Sequence, residues 1–252
     1  MQNLSYGWWF PPDVSVDGHI IDSLINTVHW FMAALFVGWG IFFVYCLIRF
    51  RQRPGHAADP VLTHSKFPKF VEIGVVLFEA FLLIGLAYPA WSRLRTEFPK
   101  PEDSTVIRIV AQQFLWNIHY PGRDNIFGRT DPKLVSDSNP LGLDFNDPHA
   151  KDDLVTPNQL HFPVNKPVLA HLTSKDVIHS FFIPVLRVKQ DAVPGISIPI
   201  YWKAKQTGQF EIACAQLCGN GHTIMRGFVS IDTPEQFKIW IKEQEAFSQG
   251  GL

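Results

Sequence analysis

Between Cys214 and Met225 the chain reads Cys-Ala-Gln-Leu-Cys-Gly-Asn-Gly-His-Thr-Ile-Met. Two thiols (Cys214 and Cys218), the imidazole of His222 and the thioether of Met225 share one short stretch. Soft sulfur donors with imidazole select copper among the common metals, and a weak methionine marks copper electron-transfer sites. A mononuclear site of that kind uses one cysteine. Two cysteines four apart, on a loop after a strand-like run, could instead bridge two copper ions and spread one electron over both. That would keep the geometry nearly the same in both redox states. Three duller readings stay open on the residues alone. The cysteines could close a disulfide in an oxidising compartment. Two Cys and two His could hold structural zinc, which has no use for Met225. Met225 could fill a core gap.

Either metal needs a second imidazole, and His179 in Asp176-Val-Ile-His-Ser-Phe-Phe-Ile-Pro184 is the best candidate. His119, His161 and His171 read as structural histidines.

Such donors need a rigid frame. After Pro99 and Pro101 the composition turns to short β-rich runs, at 105–111, 114–120, 168–173, 197–202, 209–213 and 227–231. Many short strands at this spacing predict an all-β sandwich or barrel of about 150 residues. Residues 121–158, rich in Asp, Asn, Pro and Gly, predict a long solvated surface excursion with seven Asp against four Lys or Arg. At the end of the chain Thr233, Pro234 and Gln236 form a capping box ahead of Phe237, Ile239, Trp240 and Ile241. A short amphipathic helix is expected there, its apolar residues packing on the sheet.

The first hundred residues differ in kind. No Asp, Glu, Lys or Arg falls between Asp22 and Arg49, and at ~1.5 Å per residue a helix over that stretch exceeds the ~30 Å of bilayer hydrocarbon. A second window, without basic residues from Lys69 to Arg93, is also long enough to span but holds Glu72 and Glu79. The two carboxyls are a heptad apart and share a helix face that suits a protein partner better than lipid. Arg49, Arg51, Arg53, Lys66 and Lys69 place the connecting loop in the cytoplasm and both termini outside. No basic n-region precedes the first apolar run, so a cleavable signal peptide is not expected.

Composition excludes several classes. The formal charge is −1 with a pI near 6.8, which leaves no basic stripe for nucleic acid. Three cysteines, one of them Cys46 inside an apolar run, cannot make a disulfide framework. No Cys-x-x-Cys-His occurs, so no c-type haem is attached to this chain.

Taken together, the hairpin, Gln112-Gln113-Phe114-Leu115-Trp116, the His179-Ser-Phe segment, Lys189-Gln-Asp191-Ala-Val-Pro194-Gly195 and the C-x3-C-x3-H-x2-M loop resemble subunit II of haem-copper cytochrome c oxidases. The resemblance covers nearly the whole chain. It implies a two-helix transmembrane hairpin in residues 1–103 and a cupredoxin-like Greek-key sandwich in residues 104–252, on the periplasmic or intermembrane side. It implies a dinuclear copper A centre bridged by Cys214 and Cys218. His179 and His222 would each bind one copper, Met225 would bind weakly and the Gln216 carbonyl would complete the set.

Two positions depart from the family pattern. Gln216 stands where the family usually has a glutamate that reaches magnesium at the boundary with subunit I, and an amide is a poorer ligand for a hard cation. Phe114 stands where the family has a surface tryptophan that receives the electron, while Trp116 is kept. Glu72 resembles the family's carboxyl at the mouth of a proton-uptake path, and Glu79 has no counterpart. The implied partners are subunit I with its haem and copper B, other oxidase subunits, cytochrome c or an equivalent donor, and membrane lipid, with no nucleic acid. A copper-free quinol-oxidase scaffold and a membrane-tethered copper-delivery protein are the competing functions.

Overall fold

The uncharged stretch after Asp22 folds as part of one long helix, α1 (Gly18–Arg49), with Arg49 in its last turn. The second apolar window forms α2 (Phe67–Phe81), a π-helical segment (Leu82–Ala87) and α3 (Tyr88–Thr96) in continuous succession. The wider turn falls just before Pro89, which has no N–H to give the carbonyl four residues back. In that segment the Tyr88 N–H reaches the Leu83 carbonyl instead. Both helical stretches are long and apolar enough to cross a membrane, and almost none of their apolar windows is covered by protein. A core helix of a soluble protein would be buried, so these surfaces suit lipid or another protein.

The computed structural model describes residues 10–55, 57 and 66–250 and divides into two units, Ile20–Thr96 and Met1–His19 with Glu97–Leu252. Residues 56 and 58–65 of the connecting loop, and 1–9 of the N-terminal segment, lie outside the described residues.

The second unit is a sandwich of two five-stranded sheets. Its strands are β1 (Thr105–Gln112), β2 (Leu115–Tyr120), β3 (Leu154–Pro157), β4 (Gln159–Pro163), β5 (Pro167–Ser174), β6 (His179–Ile183), β7 (Val188–Ala192), β8 (Ile198–Lys203), β9 (Gly208–Cys214) and β10 (Arg226–Asp232). One sheet runs β3-β2-β1-β5-β8 and the other β4-β10-β9-β6-β7. β1 pairs parallel with β5, and β4 with β10, while the other ladders are antiparallel. Alternate residues turn inward, so Ile107, Ile109 and Ala111 on β1 meet Phe181, Ile212 and Val229 in one core. Fully burying side chains such as Trp116, Phe162 and Phe181 contributes roughly 1.5–3 kcal/mol each.

All six strands read from the sequence are present. Four more are not anticipated by it. β3 and β4 are separated by Asn158 in the left-handed region (φ 58°) and carry Pro157 and Pro163, which read as turn formers. β6 opens with His179 and Ser180 ahead of three apolar residues and does not alternate, and β7 is a polar edge strand with no clear period. The excursion is more than a solvated loop. It ends in β3, buries Leu141, Leu143 and Ala150, and is pinned to β2 by a buried pair in which His119 Nε2 lies 2.7 Å from Asp153 Oδ2.

The closing helix α4 (Pro234–Gly250) starts in the expected capping box: the Gln236 N–H donates to Thr233 Oγ1 and the Thr233 N–H to Gln236 Oε1. Trp240 stacks on His161 with centroids 4.0 Å apart, and Phe237 packs on the core, whereas Ile239 faces solvent. Residues ahead of α1 add a short edge segment that the sequence does not announce. The Val14 N–H donates to Val185 O, the Val16 N–H to Lys203 O, and Arg187 donates to the carbonyls of Pro11 and Pro12.

Candidate metal centre

Four loops gather at one end of the sandwich. The parallel register of β1 and β5, which sets Ala111 opposite Ser174, brings the β1–β2 and β5–β6 loops to the same edge. The pairing of His179 with Ala192, and of Phe181 with Cys214, places the β7–β8 and β9–β10 loops beside them. His179 begins β6 with its side chain turned inward and fully buried. Cys214 ends β9, and Cys218, His222 and Met225 lie on the loop before β10. That loop is closed by the Cys214 N–H donating to Met225 O and the Ala215 N–H donating to Ser180 O.

The donors converge. Cys214 Sγ and Cys218 Sγ are 3.8 Å apart and unbonded, well beyond the ~2.05 Å of a disulfide. His179 Nδ1 is 3.2 Å from Met225 Sδ and 4.0 Å from Cys214 Sγ. His222 Nδ1 lies 3.7 Å from Cys218 Sγ, Met225 Sδ lies 3.8 Å from the same sulfur, and the Gln216 carbonyl is 3.3 Å from Cys214 Sγ. The ligand atoms of His179, Cys214 and Cys218 fit within 4.8 Å of one another. Met225 is buried, so it belongs both to the core and to the donor cluster. Burial and the neighbouring Cys214 thiol push the Cys218 thiol up to about 11. Soft donors sharing one buried site make a set that suits copper.

Two residues that the sequence left as context organise the cluster. Asp176 Oδ1 accepts from His179 Nε2 at 2.9 Å, and Oδ2 from the Gln113 N–H at 2.7 Å. Burial raises the Asp176 carboxyl, but the Gln113, His179 and Val177 donors outweigh it and hold the group below the usual carboxylate range. Gln113 also donates through Nε2 to the Cys218 carbonyl at 2.7 Å. The only hint in the sequence is an acid three residues before a histidine.

Phe114 and Trp116 have different places. Phe114 is half-buried under the β9–β10 loop, so close that a Cβ at Gly221 would overlap its ring. Trp116 is fully buried, edge-on to His179 at 6.1 Å and to Phe181 at 5.4 Å. Gln216 is exposed. Glu72 lies on the exposed surface of α2, in the other unit.

Residues 105–231 match the sequence family of the periplasmic domain of cytochrome c oxidase subunit II. The alternative cytochrome c oxidase subunit 2 of Bradyrhizobium diazoefficiens is 34% identical over 243 residues, which span 96% of this chain and 86% of that protein. Cytochrome c oxidase subunit 2 of Thermostichus vulcanus is 25% identical, over 94% of this chain and 79% of its own length. A crystal structure of the periplasmic domain of subunit II of the cytochrome oxidase of Bradyrhizobium japonicum aligns with 59% of this chain and 97% of that one, at 26% identity and a TM-score of 0.43. With half of its length matched by the family and a relative aligned almost end to end, the chain belongs to the cytochrome c oxidase subunit II family and is part of an oxidoreductase complex.

Proposed function

We propose that electrons from cytochrome c, or an equivalent donor, enter the oxidase through this subunit. In this reading Cys214, Cys218, His179, His222, Met225 and the Gln216 carbonyl would hold a dinuclear copper A centre, and the subunit would hand electrons on to haem in subunit I. The observation that carries the reading is the convergence of two unbonded sulfurs 3.8 Å apart with two imidazoles and a buried thioether. When bound, such a centre supplies one-electron storage between donor and haem.

The chain's own residues do the rest. Cys214 and Cys218 present paired sulfurs, and thiols bind a metal only when deprotonated, so loading releases protons. Asp176 fixes the His179 ring through Nε2 and leaves Nδ1 facing the sulfurs. Gln113 holds the Cys218 carbonyl and thereby the loop. Trp116 links a ligand ring to the core, and Phe114 takes the position nearer the surface.

In this account α1 and the α2–α3 stretch are two membrane spans, with the sandwich on the outer side. Glu72, three residues after Lys69, receives protons at the cytoplasmic face on their way to subunit I. Burial of His179, Cys218 and Met225 opposes rapid metal exchange, which disfavours a delivery protein.

Cytochrome c-driven haem reduction in the intact oxidase carrying Cys218→Ser tests the reading. Haem reduction should slow by orders of magnitude while dithionite still reduces the haem. Reduction by cytochrome c at the unmodified rate would reject it.

A further inference from the structure

The outer domain carries a groove of about 1490 Å³ far from the metal donors. It is walled by the residues just before β1, the starts of β1 and of the excursion, Lys166 and one face of α4, and its lining among the described residues includes none from the helical unit. β1 leaves the groove at Thr105 and reaches the donor loops after Gln112, roughly 23 Å on along the strand.

The charge around this groove is unbalanced. Six charged side chains line it: Glu102, Arg123, Lys166, Lys238, Lys242 and Glu245. Glu245 is held by the Arg123 guanidinium, and Glu102 lies against Lys100 at 4.0 Å. Lys242 helps to keep Glu245 ionised, but only from a distance. Among the described residues, Lys166, Lys238 and Lys242 have no carboxylate in ion-pair contact. Lys238 and Lys242 are four apart on α4, where like charges on one helix face repel. Three such ammonium groups around one concavity make a place for an anion.

The floor and the position narrow the choice of anion. Val106, Tyr120, Phe237 and Ile241 line the same groove, with the Tyr120 and Phe237 rings 6.4 Å apart. An apolar floor under a basic rim suits a ligand with an apolar body below an anionic head. Pro101, the first lining residue, is five residues past Thr96, where the second apolar helical stretch ends, and five residues reach at most about 18 Å. The headgroup layer of a membrane lies within that reach of a span's end.

We infer that this groove binds an anionic phospholipid, with its phosphate among Lys166, Lys238 and Lys242 and the upper part of its acyl chains on Phe237 and Ile241. The inference rests on the two apolar helical stretches spanning a membrane. It does not rest on the groove being open to water, because a lipid seated there stays in place under any subunit that covers it. A zwitterionic lipid cancels much of the attraction within its own headgroup, and inorganic phosphate leaves the apolar floor uncovered.

The test follows amide hydrogen exchange of α4 in the intact oxidase, purified in detergent and stripped of lipid, on addition of phosphatidylglycerol, phosphatidylcholine or inorganic phosphate. Phosphatidylglycerol should slow exchange across residues 237–246 at least about threefold, and the other two should not. Lys238→Gln combined with Lys242→Gln should abolish the slowing at unchanged copper content and turnover, whereas Lys238→Arg with Lys242→Arg should keep it. Equal slowing by phosphatidylcholine overturns the proposal, since charge then plays no part, and equal slowing by inorganic phosphate overturns it in favour of a soluble anion. No response to phosphatidylglycerol, or the same response in the glutamine variant, overturns it as well. Release of a partner subunit from the glutamine variant would overturn it too, making the lysines an intersubunit contact. Extraction of the unmodified chain from membranes by alkaline carbonate would fail the reading of the spans, a result separate from any change at α4.

Discussion

Asp176 Oδ1 accepts a hydrogen bond from His179 Nε2 at 2.9 Å, which fixes the tautomer of a fully buried imidazole. An ionised acceptor at Nε2 puts the ring proton there and leaves the Nδ1 lone pair directed at Met225 Sδ and Cys214 Sγ. Asp176→Ala should therefore weaken copper binding by about 10–100-fold, measured by competition with a chelator, and Asp176→Asn should lose less. Equal affinity in Asp176→Ala and the unmodified protein would contradict this role.

Gly221 lies against the Phe114 ring, where any Cβ collides. Gly221→Ala should lower stability by about 1–3 kcal/mol, read as a drop in the thermal midpoint of the outer domain. Replacing Phe114 with Ala in the same chain should recover part of that loss, because the two atoms compete for one space. A simple sum of the two single losses would argue against direct contact.

Acid sensitivity should be traceable to Glu245. Its carboxylate is nearly buried on α4 and is held by the Arg123 guanidinium, which keeps it below the usual glutamate value of 4.5. A carboxyl lowered in the folded state stabilises above its unfolded value, and the contribution disappears as pH falls through the folded value. The midpoint difference between unmodified protein and Glu245→Gln should be largest near neutral pH and shrink below about pH 4.5. A difference that holds constant down to pH 3 would contradict the pairing.

Gln216 presents an exposed amide beside the cluster, and Asp176, the one acid on the four loops, is occupied. Among the described residues of these loops a hard divalent cation finds no free carboxylate. Gln216→Glu in the intact oxidase should increase bound manganese, read by its paramagnetic resonance, with the copper signal unchanged. Identical manganese in both would show that the side chain plays no part.

How far the sequence reaches depends on what each feature needs. The sulfur and imidazole spacing of the β9–β10 loop is local, so its chemistry is legible before any fold. Gln113 and Asp176 are not, because their link joins positions 63 residues apart and exists only once β1 and β5 pair in parallel. The alternating strands, such as β1, announce themselves, whereas β6 has no alternation and β7 is a polar edge. Asp153 reads as one more acid in a polar run. Its burial against His119 follows from the excursion folding back over β2.

The central claim is the dinuclear centre, and the most direct measurement is copper stoichiometry with electron paramagnetic resonance on the purified full-length chain. Two coppers per chain sharing one unpaired electron is the predicted result. One copper with a localised electron, or zinc or a Cys214–Cys218 disulfide in its place, would contradict it.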